Sequence, residues 1–60
     1  MTVYEFLNLF VEEDKQKFAI YENDRGENVF EGFLKDLPPE LAEKEITSID
    51  NIINSLVINV

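Results

Sequence analysis

Sixty residues with no cysteine and no histidine allow a single domain at most and exclude disulfides, thiolate zinc sites, a thiol nucleophile and the commonest general base. Thirteen acids against five bases, a formal net charge of −8, argue against direct binding to nucleic acid or to an anionic membrane surface, since Lys and Arg hold both. The hydrophobic fraction of 45%, with five phenylalanines and two tyrosines, exceeds what a disordered acidic chain carries and calls for a packed core.

Charge is concentrated in the middle of the chain. The first eleven residues hold only Glu5, and Ile46 to Val60 hold only Asp50, so both ends read as core material. No apolar run approaches the roughly 18 residues of a membrane span, and Glu5 stands where a secretory signal carries a base. The expectation is a soluble, cytoplasmic domain spanning residues 1–60.

The first element is predicted as a helix. Thr2 and Glu5 form a capping box, and Val3, Phe6, Leu7 and Phe10 recur at helical spacing, with Tyr4 and Val11 widening the stripe. Leu9 falls off the stripe and is expected at the surface. Glu12, Glu13 and Asp14 oppose the negative end of the helix dipole and mark the exit, with at most one further turn to Lys15. A hairpin follows, its strands over Lys17 to Glu22 and Asn28 to Leu34. Asn23, Asp24, Arg25 and Gly26 supply turn chemistry between them, and Gly32 suggests a bulge or a close approach of the helix.

Asp36 ahead of Leu37, Pro38 and Pro39 starts a short helix or turn from which Leu37 and Leu41 reach the core. Glu45 to Ile52 and Leu56 to Val60 then read as a second hairpin turning at Ile53, Asn54 and Ser55. A helix over Asn51 to Val57 also fits the spacing, but β-branched residues dominate and favour strands. The sum is an α+β fold: an N-terminal helix packed on a four-stranded, mostly antiparallel sheet, in the order helix, strand, strand, short helix, strand, strand, with no long crossover.

Chemistry is sparse on this frame, and no catalytic residue, cofactor or metal site is expected. Carboxylate pairs are the remaining acid–base candidates, and a chain this small has little room for a pocket. Asn23 to Glu27 clusters oxygens around Gly26 but lacks the ligand spacing and terminal Glu of a calcium loop, so it reads as a hairpin turn. The two isolated glycines do not make a phosphate loop.

Two surfaces remain as interaction candidates. Glu12, Glu13 and Asp14 together with Glu40, Glu43 and Glu45 could form one acidic face for a basic partner, although solubility alone also accounts for them. Tyr4 and Leu9, or one face of the last hairpin, could form the patch of a homodimer.

In the opening MTVYEFLNLF, the middle VFEGFLKDLPPEL and the closing ITSID and LVINV, the chain resembles small uncharacterised acidic proteins of Firmicutes phages and mobile elements. Some small acidic proteins of such elements inhibit host defence, anti-CRISPR proteins among them, by occupying the basic nucleic-acid channel of a nuclease. The resemblance therefore implies a non-enzymatic accessory protein with a protein partner. The alternative it implies is an acidic inhibitor that mimics nucleic acid. It assigns no individual residue a role.

Overall fold

The computed structural model describes residues 1–10, 15–52 and 55–60. Helix α1 covers Val3–Phe10. Its start is fixed by the capping box: the Thr2 backbone N–H donates to Glu5 Oε1 at 2.9 Å, and the Glu5 N–H donates to Thr2 Oγ1 at 3.2 Å. Two of the donors that a helix leaves unpaired in its first turn are thereby satisfied reciprocally. Val3 and Leu7 are fully buried and Phe6 packs beside them. Tyr4, expected within the stripe, is instead 52% exposed. At about 100° per residue it lies on the flank away from Phe6, so only the Val3, Phe6 and Leu7 side meets the core. Leu9 is exposed as expected, and Val11 lies outside the described residues.

Strands β1, Phe18–Glu22, and β2, Glu27–Gly32, form the first hairpin. The Glu22 carbonyl accepts from the N–H groups of Arg25 at 3.2 Å and Gly26 at 2.8 Å, and Gly26 has φ +67°, a conformation that is costly for a residue with a Cβ. The register runs Ile20 opposite Phe30 and then Tyr21 opposite Asn28, leaving Val29 as the extra residue of a bulge. This has a packing cause: both Val29 and Phe30 rest against the core, which strict alternation would forbid for adjacent strand residues. The bulge is therefore at Val29 and not at Gly32, which was read as a bulge or a close approach of the helix and has only Phe30 atoms within 4 Å of a Cβ. Gly32 faces the Phe30 ring, and a Cβ there would lie 3.3 Å from Phe30 Cζ. Phe30 in turn lies 5.5 Å, centroid to centroid, from Phe18 on β1.

From β2 the chain passes through a 3₁₀ turn, Leu34–Asp36, into a one-turn helix, α2, at Pro39–Ala42. Pro38 occupies the cap position and Pro39 the first helical position, where a missing N–H costs nothing. Asp36 ends the preceding turn and does not start the helix. Leu34 and Leu41 are buried and Leu37 packs against them. The second hairpin joins β3, Ser48–Ile52, to β4, Ser55–Asn59. Residues 51, 52 and 55–57 are thus strand, Ser55 among them although it was expected in the turn, and Ile53 and Asn54 lie outside the described residues.

The sheet order is β2-β1-β4-β3, with β1 and β4 parallel. The sheet is therefore mixed where a mostly antiparallel one was expected, and residues 33–47 do cross from one edge to the other. The cause is burial: β1 and β4 carry the most apolar inward faces, and the crossing brings both into the middle. Phe18 pairs with Leu56 and Ile20 with Ile58, beneath Val3, Leu7, Leu34 and Leu41 in one cluster. The Val60 N–H to Tyr21 carbonyl bond at 2.9 Å and the Asn23 N–H to Val60 carbonyl bond at 3.0 Å extend the pairing. No described polar or charged side chain is buried.

The crossing segment is tied to the start of α1. Val3 N–H donates to the Lys44 carbonyl at 2.9 Å, and Ile46 N–H to the Met1 carbonyl at 3.0 Å. The Met1 ammonium lies 2.9 Å from Glu45 Oε2, and this hydrogen bond raises the ammonium pKa.

Two outcomes follow. Ile20 is fully buried at the sheet centre, so Ile20→Ala should cost about 2–5 kcal/mol. That equals most of the roughly 3–5 kcal/mol a core of this size supplies, and urea denaturation should find the variant largely unfolded. Ile49→Ala, at an exposed position, should shift the same curve by less than about 1 kcal/mol. Separately, the Thr2 N–H bond lowers the Glu5 carboxyl below the ordinary glutamate value. Its contribution is complete above the unfolded-state value and lost as pH falls through the folded one. Glu5→Gln should therefore flatten the acid limb of stability against pH; an unchanged limb would show that the cap charge contributes nothing.

Candidate functional site

The acids expected to form one face are only partly placed. Glu12, Glu13 and Asp14 lie outside the described residues. Glu40 sits exposed on α2, Glu43 is its exposed C-cap, and Glu45 is exposed but paired with the Met1 ammonium. Other carboxylates sit near cations at separate points of the surface: Glu31 Oε1 is 3.4 Å from Lys17 Nζ, and Glu27 Oε1 is 2.8 Å from Arg25 Nη2. Glu22 Oε1 lies 4.0 Å from Lys44 Nζ. Exposed pairs of this kind contribute little to stability. Their dispersal distributes the negative charge over several elements.

Tyr4 and Leu9 are both exposed, at 52% and 67%, but the helix does not bring them together. Five residues apart, they differ by about 140° around the axis. Leu9 is on the Phe6 side, three residues on, and Tyr4 is on the side of Met1, itself exposed.

The sheet adds two features, the second of them within the last hairpin, one face of which is a dimer-patch candidate of the sequence. The first is the face that no described helix covers. Both helices pack against the Phe18, Ile20 and Ile58 side, and the pairing places Glu31, Ala19, Val57 and Asp50 in a row across the other side. Ala19 is short and flanked by longer side chains, and around it lies an open concavity of about 360 Å³ whose lining includes Lys17, Asn28, Glu31, Ser55 and Val57. Its walls mix polar and apolar side chains, and its one cation and one anion bond each other.

The second is the β3 edge. Ser48, Ile49, Asp50 and Asn51 are all exposed, so among the described residues nothing covers this stretch of the strand on either face or along its outer edge. By register Ile49 and Asn51 share the face of Ile58 and Leu56, while Ser48 and Asp50 share that of Asn59 and Val57. Ile49 is 38% exposed although its partner Ile58 is fully buried, which means the helical layer stops short of β3. Asp50 Oδ2 accepts from Asn59 Nδ2 at 3.0 Å, anchoring the carboxylate on the open face. The sequence does carry a signal of this: neither Ile46, Ser48, Asp50 nor Thr47, Ile49, Asn51 is uniformly apolar, as a strand covered on one side requires.

No family model, curated protein or solved structure matches the chain. Among the described residues there is no group of three or more metal-ligating side chains and no helix long and apolar enough to cross a membrane.

Unpaired strand edges invite pairing with another chain, and a charge on the edge opposes it. Asp50 is the charged residue of β3. Replacing it by Val should raise self-association over the parent chain, measured by sedimentation velocity across a concentration series. Identical sedimentation of the two would mean that Asp50 does not guard this edge.

Proposed function

We propose that this chain is a non-enzymatic protein-interaction module, of the accessory kind that phages and mobile elements carry. The observation that supports the reading most directly is the bare β3 strand, exposed on both faces and at its edge. A domain this small has little apolar surface to spare, and a strand exposed from Ser48 to Asn51 adds little to its own core. Pairing of such an edge with a partner strand is a recurring mode of protein recognition.

The rival reading, mimicry of nucleic acid, needs carboxylates spaced like phosphates along one face. The dispersal of the described acids, several of them beside Lys, Arg or the N-terminal ammonium, favours the interaction module.

Immobilised full-length chain incubated with a nuclease-treated lysate of a Firmicutes host should retain a discrete protein partner. Retention of nothing, or of DNA- and RNA-processing enzymes alone that wash off at high salt, would overturn the reading, the second result in favour of mimicry.

A further inference from the structure

The two edges of the sheet are guarded differently. Edge strand β2 carries a bulge at Val29, ends at Gly32 and bears Glu27 and Glu31, and all of these discourage another strand from pairing with it. Edge strand β3 has an unbroken register from Ser48 to Ile52 against β4 and contains no bulge, proline, glycine or lysine. One edge is thus guarded by a bulge and two acids, the other by Asp50 alone.

We propose that the outer edge of β3 receives, as a fifth strand, an extended segment of a basic partner protein in which Lys or Arg alternates with a β-branched apolar residue. This deepens the interaction reading and rests on it. The alternation follows from the pleat: an added strand presents successive side chains to opposite faces, and β3 presents Ile49 on one and Asp50 on the other. An apolar residue of the incoming strand then covers Ile49, while a cation meets the carboxylate held by Asn59, each a cross-strand pair of matched chemistry.

The partner's charge follows from the surroundings. Residues 45–60 contain two charged side chains, Glu45 and Asp50, both acidic, and the whole chain carries −8. A second copy of this chain pairing along the same edge would bring acid against acid, and like charges on adjoining strands are destabilising. A basic segment is drawn to the edge by the same field.

The test titrates ¹⁵N-labelled full-length chain with a short end-capped peptide alternating Lys and Val, and with an isomer in which the same residues form one Lys block and one Val block. Saturable shifts centred on residues 48–52, slowed amide exchange along β3, and clear preference for the alternating peptide are expected. Asp50→Lys should weaken that peptide about tenfold, and Asp50→Asn, which keeps an oxygen acceptor for Asn59, should weaken it less. Equal binding of the block isomer, shifts centred on Lys17, Asn28 and Glu31, or indifference to both substitutions would overturn the proposal. So would protection of β3 by self-association without peptide. In the lysate experiment, a partner retained equally by the parent chain and Asp50→Lys would sink the edge assignment while leaving the interaction reading intact; no partner at all would sink the reading itself.

Discussion

The parallel pairing of β1 with β4 is the contact on which the rest of this molecule depends. Each hairpin alone is a two-stranded ribbon with one apolar face, and such ribbons are at best marginal in water. Laid side by side, Phe18 and Ile20 continue into Leu56 and Ile58 and make a surface wide enough for Val3, Leu7, Leu34 and Leu41 to cover. The crossing segment is the geometric consequence: two hairpins can meet through their first and last strands, running the same way, only if the link between them travels from edge to edge. Its passage beside the N-terminus then explains why Met1, Thr2 and Val3 bond to Lys44, Glu45 and Ile46.

Local features of this arrangement were legible in the chain because each has a local cause. The Thr2 and Glu5 cap, the Gly26 turn, the Pro39 helix start and the exposure of Leu9 all follow from residues within a few positions of one another. What could not be read was set by partners far away in sequence. Tyr4 stands at the margin of the helical stripe, and whether that margin is buried depends on where the sheet stops. The bulge at Val29 depends on the core needing two adjacent apolar side chains. The parallel joint depends on comparing strands from opposite ends of the chain, and no spacing rule performs that comparison.

Interaction surfaces follow the same division. The described acids are distributed over separate elements. The β3 edge arises from strand order, which leaves Ser48–Ile52 outermost, and from a helical layer too narrow to reach it. A short α1 and a one-turn α2 cover the central strands, and the bare strand is what their length leaves over.

The joint between β1 and β4 also orders events during synthesis. Phe18 emerges from the ribosome well before Leu56, and the loop between them must close before either finds its neighbour. Until the last hairpin is made, the nascent chain holds Phe18, Ile20 and the α1 stripe without the strand that completes their shelter. Closure of the core therefore waits on the last strand to be made.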